Sequence, residues 1–593
     1  MKIVPGHMLR KNAGTTIGLP VLAAIRPFIA VAVCRQINGL PVRALGGLVI
    51  RLLPALLAHL VPVMAADSPG APQHPNILVI LADDLGYGDV GCYNDQSKVP
   101  TPNLDRLARE GMRFTDAHSP ATVCTPTRYS LMTGQMAFRV RNGGTVFTGV
   151  GGPSLIAPAR LTLPGMLRDN GYATACVGKW HVGMTFYDRQ GQPVRGNGLE
   201  AVRQVDFLRR IDGGPIDHGF QSFFGTACCP TTDWLYAFIE NDRVPLPPAS
   251  VIDKQQLPRH PYSHDCRSGL IAADFPMQEV DLVFLQKSIA FLEQHVRQSP
   301  KKPFFLFHAA QAVHLPSFPA PRFHGSTQAG PHGDFIYEFD WIVGQLMDKL
   351  HELDVADNTL VIVTSDNGPE VTSVVHMRSD YGHDPARLWR GMKRDAWEAG
   401  HRVPLIVRWP GQSKPPGEPP GRPNADAVTE PATRAEVIPG SICSQLVSLT
   451  DVFATAAEII GVTLPNEAAE DSFSMLPALR GESHEPIRPY LLQQSFGGAR
   501  TLSIRRGEWK YIDHPGSGGN RYETDAALKP YLLPDSVPDA PAQLYNLSTD
   551  PGETQNLIQQ QPEIAAELKS LLEVSKTNGR TRPRLAQPKD KIQ

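Results

Sequence analysis

The chain has 593 residues, enough for several domains or for one large α/β domain with a smaller companion. With 57 Lys+Arg against 59 Asp+Glu the net charge is −2, and no long block of one sign occurs, which argues against a nucleic-acid binder working through bulk electrostatics. A hydrophobic content of 41% with 20% charged residues argues against a disordered or polytopic membrane chain, and 51 glycines and 55 prolines without an internal period argue against coiled coil and helical repeats.

Two apolar stretches precede residue 70, at 18–34 and 48–66, each broken by prolines and by arginine or histidine. Neither sustains the roughly 20 apolar residues of a comfortable membrane span. The second reads as a late-starting secretory signal, with Arg43 as its positive charge, 52–63 as its apolar stretch and Ala65-Ala66 as a small-residue cleavage site. Residues 1–66 are therefore expected to form a signal or amino-terminal extension, with an uncleaved anchor as the alternative. The folded part should begin near Pro75, outside the cytosol. The eight cysteines (Cys34, Cys92, Cys124, Cys176, Cys228, Cys229, Cys266 and Cys443) lack the paired spacing of a zinc site, and spacing alone assigns no disulfide.

Residues 76–82 (NILVILA) form a continuous apolar run, the pattern of a strand buried on both faces. Comparable strands are predicted at 172–178, 303–309, 360–364 and 403–409. Helices are predicted at 102–110, with Thr101 as cap and Pro102 in the first turn, and at 161–170, 278–296 and 337–353. Strands alternating with helices point to βαβ units and a mostly parallel sheet covered on both faces. In such sheets ligands collect at the carboxyl ends of the strands.

The polar residues after each strand form a consistent set. Asp83 and Asp84 follow the first, Lys179 and His181 the second, His314 the third, and Asp366 and Asn367 the fourth. Two adjacent carboxylates after a buried strand need compensation, which a hard divalent cation supplies. Asp83, Asp84, Asp366 and Asn367 offer only oxygen donors, suiting calcium or magnesium better than zinc. Loop or helix caps are the alternative for the Asp pair taken alone. Cys124-Thr-Pro-Thr-Arg128, opening a predicted helix, places a thiol where the helix dipole and Arg128 lower its pKa.

These motifs resemble the type I, formylglycine-dependent, arylsulfatase-like sulfatase family. The resemblance rests on residues 76–94, on 101–134 with its C-T-P-T-R core, on GKWHVG (178–183), VHLP (313–316), SDNG (365–368) and GMKRDAWEAGHRVP (391–404), and on the late segment 542–557. It implies an alkaline-phosphatase-like α/β core, a smaller carboxyl-terminal α+β domain on a short antiparallel sheet, and hydrolysis of sulfate monoesters. Cys124 is implied to become formylglycine through a formylglycine-generating or sulfatase-maturing enzyme. One hydroxyl of its hydrate attacks sulfur to give a covalent sulfo-enzyme, and the other expels sulfate as the carbonyl re-forms. The resemblance further implies a calcium ion, with magnesium as alternative, on Asp83, Asp84, Cys124, Asp366 and Asn367. It implies that Arg128 and Lys179 hold the hydrate, that Lys393 binds sulfate, that His181 serves as a base, and that His314 protonates the departing alcohol or binds sulfate. His118, His218 and His308 are read as structural.

One stretch departs from the family pattern: Thr226-Ala-Cys228-Cys229-Pro230 stands where many sulfatases place a small polar residue near the sulfate. Residues 235–244 are similar to the adjoining family strand and hairpin. The chain is expected to divide into a catalytic domain at 75–440, a carboxyl-terminal subdomain at 441–576 and a tail at 577–593, with an exposed excursion at 414–434. A helix at 450–460, two strands within 500–512 and a helix from Pro562 are predicted in the later part. The expected substrate is a sulfated small molecule or glycan, without nucleic acid or a stable membrane span, and the expected location is periplasmic or secreted, lysosomal-type in a eukaryote. A phosphoester or phosphonate hydrolase of the same superfamily is the main alternative, and a non-catalytic glycan binder the third.

Overall fold

Strand Asn76–Ala82 is buried at every position, as its unbroken apolar run requires, and it lies in the middle of a nine-stranded sheet. The computed structural model describes residues 74–411, 437–482, 485–498, 501–534 and 536–585. The predicted signal, the excursion at 414–434 and the tail from 586 on lie outside the described residues. Across the sheet the order is Ser441–Cys443, Met112–Phe114, Leu405–Arg408, Thr359–Ser365, Asn76–Ala82, Phe304–Ala309, Ala173–Lys179, Ser222–Thr226 and Ile239–Glu240. The central strand pairs in parallel with both neighbours, Ile77 standing opposite Phe305 on one side and Leu360 on the other.

The core is alkaline-phosphatase-like and mostly parallel, with antiparallel pairs toward both edges. Leu405–Arg408 runs antiparallel to Thr359–Ser365, with Val361 opposite Arg408. No long crossover helix separates these two strands; the connection holds only short helical turns, Val371–His376, Met377–Tyr381 and Glu398–Gly400, and the chain re-enters the sheet from the carboxyl end of Thr359–Ser365.

Helices Pro102–Glu110, Val280–Gln298 and Gly330–Glu352 pack together as one layer, and Cys124–Thr133, Leu163–Asp169 and Asp451–Ile459 as the other. Thr101 sits at the predicted cap of Pro102–Glu110, but its hydroxyl accepts from Gly91 N at 2.8 Å and donates to Asp105 Oδ1 at 3.2 Å instead of bonding the helix backbone. Gly330–Glu352 begins seven residues earlier than its apolar periodicity indicates, because Asp334, one turn past its start, accepts from Gly325 N and Thr327 N and holds the entry loop.

The smaller sheet is antiparallel, in the order Leu491–Gln494, Leu502–Arg506, Trp509–Ile512 and Gln543–Asn546. Helix Pro562–Thr577 covers it, setting Leu568 and Leu572 against Leu492, Ile504 and Leu544. Ser441–Cys443 still pairs with Met112–Phe114 of the large sheet, so the change from one sheet to the other falls between Cys443 and Leu491. All of this lies within one compact unit, Pro72–Gln593.

Candidate active site

The carboxyl ends of four adjacent parallel strands meet at one point. Asp83 and Asp84 follow Asn76–Ala82, Lys179 ends Ala173–Lys179 with His181 two residues on, His314 follows Phe304–Ala309, and Asp366 and Asn367 follow Thr359–Ser365. Cys124 is the first residue of Cys124–Thr133, which aims the positive end of the helix at the same point. Lys393 comes from the loop before Leu405–Arg408. All the site residues predicted from sequence are buried and converge here.

Arg128, 1% exposed, ties the strand ends together. Its Nε donates to Asp366 Oδ2 at 2.8 Å, and its terminal nitrogens donate to Lys179 O at 2.7 Å and Asp83 Oδ2 at 3.2 Å. Lys179 Nζ also donates to Asp83 Oδ2. Lys393 Nζ donates to Asp84 Oδ2 at 2.8 Å and lies 3.3 Å from Glu370 Oε2. Glu370 in turn accepts both ends of the Arg394 guanidinium, at 2.6 and 2.9 Å.

Both histidines have their proton positions set by backbone carbonyls. His181 Nε2 donates to Phe147 O at 2.6 Å, which orients the ring with its other nitrogen inward beside Cys124. His314 Nδ1 donates to Leu315 O at 2.5 Å, leaving Nε2 at 3.8 Å from both Asp84 Oδ2 and Cys229 Sγ. Burial and then Lys393 push His314 down to about 3, so it is neutral in this state and its Nε2 accepts rather than donates.

Burial raises every carboxylate here; Asp83 is overcompensated and held at about 2, chiefly by Lys179 and Arg128, and Glu370 is held below its ordinary range, against burial, by Arg394 and Lys393. Burial pushes Asp84 well above the usual carboxylate range against the pull of Lys393, and burial with the charge of Asp83 pushes Asp366 up to about 6. The Cys124 thiol is held well below its ordinary range, first by a hydrogen bond with the Cys229 thiol and then, against burial, by Lys179 and His181. The protein's own cations therefore leave this carboxylate cluster short of positive charge. Asp83 Oδ1 and Asn367 Oδ1 are buried with no hydrogen-bond partner in the described structure, and ligand atoms of Asp83, Cys124 and Asp366 lie within 4.8 Å of one another. Orphaned oxygens in a carboxylate-rich pocket are the donor set of a hard divalent cation. A second group within the same span, His118, Glu398 and His401, differs, because Lys510 Nζ stands 3.0 Å from Glu398 Oε1 and 3.1 Å from His401 Nε2 and supplies the cation itself.

A cavity of about 240 Å³ opens onto this cluster, with Cys124, Cys229, His314 and Lys393 deep in it and Phe147 and Phe496 at its wall. The departure noted in sequence thus places one thiol of the Cys228-Cys229 pair, Cys229, against residue 124. The seven described cysteines form no disulfide. Sequence reasoning passed over Glu370 and Arg394, although they adjoin SDNG and Lys393; nothing in a lone Glu three residues past Asn367 marks it as the partner of two distant cations. Phe496, Asp265 and Arg267 come from loops without motif character. His218 bonds Ser154 Oγ at 3.0 Å and His308 bonds Ser288 Oγ at 2.8 Å, both away from the site.

Comparison with known proteins gives a consistent family. The profile of the Sulfatase family matches residues 75–462. An N-acetylgalactosamine-6-O-sulfatase of Bacteroides thetaiotaomicron is 32% identical over 535 residues, covering 85% of this chain and 94% of the relative. Human arylsulfatase A is 30% identical over 507 residues, covering 84% and 87%. Among solved structures, a sulfatase from work on glycosaminoglycan metabolism by Bacteroides thetaiotaomicron superposes with a TM-score of 0.68 at 31% identity, covering 85% of this chain and all of that one.

Proposed function

The chain belongs to the sulfatase family and is a sulfuric ester hydrolase, and from this premise we propose that it is an exported enzyme that removes sulfate from a glycan through formylglycine at position 124. The observation that carries the proposal is the position of Cys124, at a helix N-terminus beside Asp83 and Asp366 and in one cavity with Lys393 and His314. The glycan assignment is supported by the substrate in the name of the N-acetylgalactosamine-6-O-sulfatase relative. Export is supported by the signal-like stretch before Pro75; among the described residues no helix is long and apolar enough to cross a membrane.

Formylglycine at 124 supplies a geminal diol, one hydroxyl to attack sulfur and one to drive sulfate out. Asp83, Asp84, Asp366 and Asn367 would hold calcium, with magnesium as alternative, which supplies Lewis acidity beside that diol. Arg128 and Lys179 fix the carboxylates and carry positive charge to where negative charge develops. Lys393, balanced between Asp84 and Glu370, presents its ammonium to the sulfate. His181, beside Cys124, would accept the proton of the second hydroxyl. His314 carries no acid proton in this state, and the arriving sulfate anion acts in the direction that restores one.

The test is the mass of the tryptic peptide running from Phe114 to Arg128, from protein made with its maturation enzyme, beside sulfate and phosphate release from matched aryl esters. Formylglycine with sulfate turnover is expected, and Cys124→Ala should abolish it without lowering the melting temperature. Preferential phosphate release would overturn the reading.

A further inference from the structure

The site cavity continues outward. Its inner part, about 240 Å³, is smaller than the roughly 300–1,000 Å³ of sites that enclose a drug-sized ligand, and leaves room for little beyond one sulfated ring. A second cavity of about 520 Å³ adjoins it, and Asp265, Glu370 and Arg394 line both, so the two form one cleft. The far wall of the outer cavity comes from the carboxyl-terminal region, with Asn520, Arg521, Thr524 and Asp525.

Part of this outer wall keeps its hydrogen-bonding capacity unspent. Asp265 is half-buried, and its carboxylate makes no hydrogen bond or ion pair with any described residue; the exposed guanidinium of Arg521 makes none either. Glu370 and Arg394 neutralise each other through two hydrogen bonds. Asp525 is partly engaged, accepting from Ala527 N at 2.9 Å. What remains is one cation, Arg521, against two carboxylates, Asp265 and Asp525. That balance offers acceptors and a donor to hydroxyls, and it opposes a second anion.

We propose that the outer cavity is a subsite for an uncharged, hydroxyl-bearing sugar linked to the sulfated one, with Asp265 accepting from its hydroxyls and Arg521 donating to them. This rests on the glycan-sulfatase reading and extends it to the neighbouring residue of the substrate. The specificity it creates is for a sulfated oligosaccharide with a neutral neighbour over a sulfated monosaccharide or a uronate-linked one.

The experiment compares kcat/KM for sulfate release by the matured full chain on three substrates: a sulfated monosaccharide, the same sugar linked to a neutral hexose, and the same sugar linked to a uronic acid. An aryl sulfate serves as control. The neutral-linked substrate should exceed the monosaccharide by about tenfold, the effect of one or two good hydrogen bonds, and the uronate-linked one should show no such gain. Arg521→Ala should shrink that ratio toward one. Equal rates on the first two, a preference for the uronate, or a ratio unchanged in Arg521→Ala would each overturn the subsite. Sulfate release from the aryl ester but from no saccharide would overturn the glycan reading itself, and the subsite with it.

Discussion

Asp84, His181 and Arg394 have φ of 67°, 58° and 84°, in the left-handed region that non-glycine residues avoid at a cost of about 1–3 kcal/mol each. Arg394 lines the cavity, and Asp84 and His181 stand among the buried groups around it, so backbone strain collects where side chains must be aimed. A cation among Asp83, Asp84, Asp366 and Asn367 would offset part of that cost together with the under-compensated charge. Chelator treatment should therefore lower the melting temperature and added calcium restore it, by up to about 2.7 kcal/mol of stability at a hundredfold excess over its dissociation constant. A melting curve indifferent to both would argue against the ion. Away from the site, His308 is held neutral by burial, its pKa lowered to about 4. The unfolded chain takes up that proton below about 6.5 while the fold refuses it until about 4, so stability falls as pH drops through this window, by at most about 1.4 kcal/mol per pH unit. Denaturant melts from pH 7 to 4 should show a shallower decline in His308→Asn, which keeps a polar atom toward Ser288; an identical decline would place the titration elsewhere.

Between elements, a buried polar knot joins the small sheet to the loops that carry the site. Lys510 of Trp509–Ile512 lies 3.0 Å from Glu398 and 2.9 Å from Glu553, while Arg505 of the neighbouring strand pairs with Asp116 at 2.8 Å, just before the segment leading to Cys124. Lys510→Met would leave buried Glu553 without its cation and Glu398 with Arg402 alone, and should cost about 3–5 kcal/mol in denaturant melts. Leu568→Ala, on the covering helix, should cost about 2–5 kcal/mol through its cavity while leaving sulfate release per folded molecule unchanged. If the Leu568 variant instead lost activity at full folding, the helix would have a role in the site. The strands and helices of the core were legible because burial on both faces writes an unbroken apolar run, as in 76–82, and the strand-end rule then gathered Asp83, Lys179, His314 and Asp366. The direction of Leu405–Arg408 was not legible, since a strand reads alike in either sense and only the missing crossover helix tells them apart. Nor was the knot, because Asp116, Glu398 and Lys510 look like ordinary surface charges until distant loops bury them together.

For the molecule as a whole, the carboxyl-terminal region is part of the active site's construction and not an appendage. Thr122 N donates to Gln494 O at 3.0 Å two residues before Cys124, and Asn520 Nδ2 donates to Lys393 O at 2.9 Å. Truncation after residue 482 should therefore give an aggregating or inactive chain, and a soluble, active fragment recovered by size-exclusion chromatography would contradict this. The order of the large sheet also sets a timetable. Strand Asn76–Ala82 is flanked by Phe304–Ala309 and Thr359–Ser365, so its hydrogen-bonding partners are synthesised more than two hundred residues after it. At roughly 5–20 residues per second, translation needs about ten seconds or more to supply the first of them. During that interval the segment bearing Cys124, 1% exposed once folded, has no finished sheet to bury it and would be open to the maturation enzyme that the proposed function calls for. The late arrival of its neighbours gives the nascent chain a chemical window, and the completed sheet closes it.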